Sequence, residues 1–135
     1  MRFIKSSMNK VLIEKNIKRL ASKILKKLKK RDLYLEIYLI SPQKIKALNK
    51  KYRGKNKATN ILSFPEPRGF LYPNKQKRLG EIYLNSSAAS DKENLKILLI
   101  HGILHLFGYQ HKKKSDRIKM ERMEQFLIKT LKPKN

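Results

Sequence analysis

The sequence predicts an α+β fold, an α/β sandwich in which a small mixed β-sheet is flanked by helices. Two observations carry that prediction. Segments of helical and strand periodicity follow one another in the order helix, strand, helix, strand, strand, helix, helix, which cannot build an all-helical bundle or an all-β sandwich. With 40% apolar residues over 135 positions, the chain can bury one core, so residues 1–135 are expected to form a single domain, its main body at about 33–131.

From Met8 to about Lys30, Ile13, Ile17, Leu20, Ile24 and Leu28 recur at helical spacing beside Ala21 and Leu25, and the remaining face is lysine. Leu33 to Ile40 alternates aliphatic Leu33, Leu35, Ile37 and Leu39 with Tyr34, Glu36 and Tyr38, the period of a strand with one aliphatic face. Ser41-Pro42 then reads as an N-cap and first helical residue of a short helix with Ile45 and Leu48 inward, ending near Tyr52 and Gly54. A basic turn, Arg53 to Lys57, leads into a second strand over Thr59–Pro65. Glu66 to Lys77, rich in proline and charge, predicts an exposed loop, and Leu79–Asn85 a third strand. Ser90-Asp-Lys-Glu93 has the form of a capping box that starts a helix near Asp91, apolar almost throughout from Leu95 to Phe107. Ser115 is the expected cap of a last helix with Met120, Met123 and Leu127 inward; these methionines are core.

All the histidines of the chain fall in one stretch, His101-Gly-Ile-Leu-His105-Leu-Phe-Gly108-Tyr-Gln-His111. On a helix, His101 and His105 lie one turn apart on one face and can reach one ion. Gly108 permits a left-handed residue that ends the helix and brings His111 back to the same point. Three nitrogen ligands with no cysteine anywhere leave an open fourth position, the signature of a catalytic rather than a structural metal site. The spacing is close to the metzincin protease signature, but where those proteases carry a glutamate general base this chain has Gly102.

With Leu104, Leu106 and Tyr109, the stretch resembles the H-G-x-L-H-L-x-G-Y-D-H signature of the YbeY family of bacterial metallo-endoribonucleases, with Gln110 in place of the aspartate. Leu48-Asn49-x-x-Tyr52-Arg53-Gly54 and Thr59-Asn60-x-Leu62-Ser63-Phe64-Pro65 are similar to two further blocks of that family. Leu79-Gly80-Glu81-Ile82 is similar to its L-G-D-I segment, and Met120-Glu121-x-x-Glu124 to its closing M-E-x-x-E. The resemblance spans roughly residues 33 to 131. The family strand before the first helix is reduced here to at best Phe3 and Ile4, and an extra helix before the histidine helix is trimmed away.

The resemblance implies a zinc ion, one per chain, on His101, His105 and His111, and a role for Arg53 in RNA cleavage. A guanidinium beside a metal can hold a phosphate bidentately and stabilise the charge that builds as the phosphorane forms. It also implies single-strand endoribonuclease activity, maturation of the 3′ end of 16S ribosomal RNA and ribosome quality control, with ribosomal RNA or the small ribosomal subunit as partner. Glu81, Glu66, a water or the RNA 2′-hydroxyl are open candidates for the base; Glu81 reads equally as a structural acid bonded to backbone or to Arg53.

Composition narrows the alternatives. A net charge of +24 attracts polyanions, although lysine supplies 26 of the 34 cations, as an AT-rich genome would also produce. Lys112, Lys113 and Lys114, directly after the third histidine, would face a phosphate backbone or simply solvent. Absence of cysteine excludes disulfide and thiol chemistry, and no apolar run approaches the roughly 20 residues that span a bilayer, so a cytoplasmic protein with no membrane partner is expected. Two rival functions remain: a metzincin-like metalloprotease, and a non-catalytic RNA-binding module of ribosome assembly with a structural metal.

Overall fold

The computed structural model describes residues 2–30, 33–66 and 77–132. Among the described residues, four helices and three strands follow in the order α1 Arg2–Lys27, β1 Leu33–Ile40, α2 Pro42–Arg53, β2 Ile61–Pro65, β3 Lys77–Asn85, α3 Lys92–Leu106 and α4 Lys114–Thr130. The strands form one mixed sheet in the order β1-β3-β2, parallel between β1 and β3 and antiparallel between β2 and β3. This is the α+β sandwich that the alternating pattern predicts.

Strand alternation divides the sheet into two unlike faces. Leu35, Ile37 and Leu39 of β1, Ile61 of β2, and Ile82 and Leu84 of β3 join the core with Ile17, Ala21, Ile24 and Leu25 of α1. Leu99, Ile100 and Ile103 of α3 and Met120 and Leu127 of α4 complete that core. Ile82, Leu84, Ile103, Met120 and Leu127 are fully buried, each side chain contributing about 1.5–3 kcal/mol of burial free energy. The other face carries Glu36, Tyr38, Phe64, Glu81 and Tyr83 and is covered by α2, whose Ile45 is fully buried.

Several boundaries differ from the sequence expectation, each for a local reason. α1 begins at Arg2 rather than Met8, so Phe3 and Ile4 are helical and not a vestigial strand. No proline or glycine interrupts that segment, and helical propagation costs little once a nucleus exists. The helix ends at Lys27, with Lys29 in the left-handed region at φ 60° and its amide donating to the Lys26 carbonyl. β2 starts at Ile61 rather than Thr59, and β3 reaches back to Lys77 because its first residues pair with Leu33 and Tyr34. The N-cap of α3 is Asp91, whose carboxylate accepts from the Glu93 amide; Ser90 donates instead to the Ser87 carbonyl. α4 is entered at Lys113 with no side-chain cap, leaving Ser115 inside the first turn. The loop expected over Glu66–Lys77 lies, from residue 67 to 76, outside the described residues.

One glycine is demanded by the sheet. The β1–β3 register shifts between Tyr34 and Leu35, where Gly80 takes φ 155°. A Cβ there would strike the Phe64 carbonyl oxygen and the Leu106 side chain, so β2, β3 and α3 close on this position only because it is bare.

Candidate metal centre

α3 owes its position to being apolar on almost every side: Leu95, Leu99, Ile100, Ile103, Leu104 and Leu106 are all buried. Its close seat on the sheet depends on Gly102. A Cβ at that position would lie 2.6 Å from the Ile61 methyl carbon and 3.1 Å from Ser63 Oγ. The glycine at the position of the protease glutamate therefore lets α3 sit close on β2, and a side chain there would point at Ile61 and Ser63.

The helix ends just beyond the histidines. Gly108 adopts φ 95°, its amide donates to the His105 carbonyl, and the Tyr109 amide donates to the Leu104 carbonyl. The reversal that the sequence predicts at Gly108 therefore forms, and it does two things at once. It sets the Tyr109 carbonyl 2.8 Å from His105 Nδ1, and it carries His111 back over His101.

The three rings converge through their Nε2 atoms, with 3.0 Å between His105 and His101 and 3.3 Å between His111 and His101. Donor atoms at these separations can hold one metal ion. The Tyr109 carbonyl accepts only, so His105 carries its proton on Nδ1 and leaves the Nε2 lone pair pointing into the cluster. His101 Nδ1 lies 3.5 Å from a Glu124 carboxylate oxygen on α4, the same arrangement of an acceptor behind a ligand. Burial pushes the His101 pKa below its ordinary value, assisted by His105 and His111 and opposed by Glu124. A neutral imidazole is the form that binds a cation. His101 and His105 are half-buried and His111 is exposed, so the cluster opens toward solvent on the His111 side, where Lys112, Lys113 and Lys114 are also exposed.

Arg53 sits at the C-terminus of α2, where Gly54 in the left-handed region at φ 71° donates to the Asn49 and Lys50 carbonyls. Its guanidinium donates to the Ser63 carbonyl at 2.9 Å and lies 5.1 Å from the Phe64 ring centre. Ser63 in turn is the residue beside Gly102, so a single strand residue links Arg53 to the histidine helix. Buried Asn49 donates to the Lys57 carbonyl at 2.9 Å and fixes the basic turn that follows.

Glu81 has partners other than Arg53. Arg78 binds Glu81, Glu66 at 2.8 Å and Glu36 at 3.0 Å, and the Tyr83 hydroxyl donates to Glu81 at 2.6 Å. The Tyr83 hydroxyl and then Arg78 hold the Glu81 carboxyl below its ordinary range, and the same bond raises Tyr83 to about 12. A carboxylate so engaged is a poor proton acceptor, which favours the structural reading of Glu81.

Sequence reasoning did not find Glu124 or the Tyr109 carbonyl. Glu124 had a signal, because Met120-Glu121-x-x-Glu124 puts it one turn beyond a buried methionine and on the same side of α4. The carbonyl had none.

Fold and cluster together define an α+β protein with a three-histidine site able to hold one metal ion at the end of a buried helix. The family model for endoribonuclease YbeY matches residues 3–132, and the chain belongs to that family. An endoribonuclease YbeY from Thermodesulfovibrio yellowstonii is 40% identical over 115 residues, covering 75% of this chain and 69% of the relative. One from Buchnera aphidicola subsp. Schizaphis graminum is 40% identical over 126 residues, covering 85% and 74%. A Thermotoga maritima protein known from its solution structure superposes with a TM-score of 0.51 at 26% identity, over 89% of this chain and 84% of that one. Among the described residues no helix is long and apolar enough to cross a membrane.

Proposed function

We propose that this protein is a zinc-dependent endoribonuclease that cuts single-stranded RNA, acting in the cytoplasm on ribosomal RNA in the small subunit at the 3′ end of 16S, in maturation and quality control. The observation that carries the reading is the convergence of three Nε2 atoms, 3.0 and 3.3 Å apart, on an open side of the molecule. Zinc bound tetrahedrally at roughly 2.0–2.1 Å sets nitrogen ligands about 3.3 Å apart, so the donor set and its spacing fit. When bound, the ion supplies Lewis-acid polarisation of a phosphoryl oxygen and activation of a nucleophile.

The remaining chemistry belongs to the chain. The Tyr109 carbonyl and Glu124 hold His105 and His101 in the orientation and protonation that present Nε2. Arg53 spends one N–H on Ser63 and keeps others for a phosphate, where a fixed cation opposes the charge of the transition state without having to reorganise. Lys112, Lys113 and Lys114 attract the RNA backbone beside His111. With Glu81 and Glu66 bound to Arg78, the proton of the nucleophile passes to water, whether that nucleophile is itself a water or the RNA 2′-hydroxyl. The protease reading has no general base, because the position of the protease glutamate is Gly102 here, which can take no proton.

The test is elemental analysis together with single-turnover cleavage of a single-stranded RNA, before and after chelation. About one zinc per chain and cleavage that disappears with chelator and returns with zinc are expected. Undiminished cleavage by metal-free protein would refute the proposal.

A further inference from the structure

The sheet face turned away from the histidine helix holds a feature that the metal centre does not use. Tyr38 stacks on Tyr83 with 5.1 Å between ring centres, Tyr83 meets Phe64 edge-on at 5.8 Å, and Phe64 meets Tyr52 at 5.5 Å. Rings serving the core alone would be covered, yet Tyr52 is 56% exposed and Tyr38 40%. Cations flank the row: the Arg53 guanidinium lies 5.1 Å from the Phe64 centre and Lys51 Nζ 5.2 Å from that of Tyr52. Leu48, Tyr52, Phe64, Pro65 and Tyr83 wall a cleft of about 290 Å³ whose charged groups are the Glu66 and Glu81 carboxylates.

Each part selects a chemistry. Open aromatic rings take another planar ring by stacking, whatever its identity. Lysine and arginine beside them take phosphate. Glu66 and Glu81 already accept from Arg78, and Glu81 from Tyr83 as well, but a carboxylate with these partners in place can still accept and cannot donate, so it prefers a ring edge bearing an amino group. A planar ring with a donor edge, joined to a phosphate, is a nucleotide. An arginine-bearing peptide would satisfy the rings and the carboxylates but would meet Arg53 and Lys51 as like charges.

We infer that this cleft is a base-binding subsite, taking one amino-bearing nucleobase of the RNA strand against Tyr52 and Phe64 with its amino edge toward Glu66 and Glu81. The inference rests on the reading of single-stranded RNA as substrate. Its connection to the metal centre is β2, an edge strand among the described residues. Phe64 lines the cleft, the neighbouring Ser63 faces Gly102, and Arg53 binds the Ser63 carbonyl between them. A strand anchored by its base here crosses the β2 edge at Arg53 on its way to the histidines, and uracil, with no amino group, is the base the subsite disfavours.

Titration of the zinc-loaded full chain with adenosine, cytidine, guanosine and uridine tests this. Nucleosides carry no phosphate to seek the ion, and binding is followed by NMR of the tyrosine rings. The three amino-bearing nucleosides should bind about tenfold more tightly than uridine. Tyr52→Ala should weaken them by about tenfold and Tyr52→Trp should restore them, with unchanged melting curves because the side chain is more than half exposed. Equal binding of uridine, or wild-type binding by Tyr52→Ala, would overturn the subsite. So would an arginine-rich peptide that perturbs Tyr52 where nucleosides do not. Cleavage of RNA without base selectivity overturns the subsite alone, whereas selective nucleoside binding by a protein that cuts no RNA overturns the nuclease reading and leaves a nucleotide site.

Discussion

The two faces of the sheet are made from alternate residues of the same three strands and have opposite characters. Toward α1, α3 and α4, Ile82 and Leu84 are fully buried in a core they share with Ile103; toward α2, three carboxylates share Arg78 beside a row of partly open rings. The contrast teaches where each kind of chemistry belongs. A metal site needs ligands that do not move, and the packed side supplies them at the end of a buried helix. A binding surface needs groups that water can reach and a ligand can displace it from, and the other side supplies those.

The comparison breaks most completely at His105. Replacing it by alanine removes one of the three histidines proposed to hold the ion, so cleavage should fall to the level of the chelated protein while salt-dependent RNA binding stays within about twofold of wild type. Next is Gly102→Glu, which forces a carboxylate into the Ile61 and Ser63 contact. It should cost about 3 kcal/mol or more in chemical denaturation and yield no peptidase activity; a well-folded variant that digests casein would reverse the assignment of the packed side.

Arg53→Ala probes the boundary between the faces. Single-turnover cleavage should slow roughly a hundredfold with a much smaller loss of RNA affinity, because the interaction strengthens chiefly in the transition state. On the open side, Glu81 has its pKa depressed below 4.5, so its stabilisation is present above that pH and is lost as pH falls through the folded value. The stability gap between wild type and Glu81→Gln should therefore narrow as acid is added, whereas a variant of the packed side such as Ile103→Val should show a gap independent of pH. The smallest effect belongs to Lys112, Lys113 and Lys114: neutralising all three should lessen the slope of log affinity against log salt by roughly 0.7 per lysine and spare cleavage at saturating RNA.

Local periodicity made much of this legible in the sequence. Alternation along Leu33–Ile40 separates the two faces, and the spacing of His101, His105 and Gly108 marks both the shared helix face and the turn that brings His111 back. What escaped was non-local. Arg78 gathers Glu36 from another strand and Glu66 from the end of a third, a pairing that depends on sheet register and leaves no pattern in the sequence. Charge alone pairs Glu81 with Arg53 as readily as with any other cation, whereas in the fold Arg78, three residues from Glu81, binds the acid. Ser115 and Ser90 carried good capping chemistry, but α4 is entered through the turn after His111 and α3 through Asp91.

The central position of β3 has a kinetic consequence. Its pairing with β2 closes a short excursion of the chain, but its pairing with β1 brings Leu33–Ile40 alongside Lys77–Asn85 only after α2 and β2 have been threaded between them. Loop-closure entropy makes such distant parallel pairing late on the folding pathway. β2, β3 and the following α3 can assemble first, and they already hold Ser63, Gly102, His101 and His105, with His111 in the turn that follows. The residues around the histidines thus belong to the part of the chain whose contacts close the shorter loops, and the long-range β1–β3 ladder completes the sheet around them.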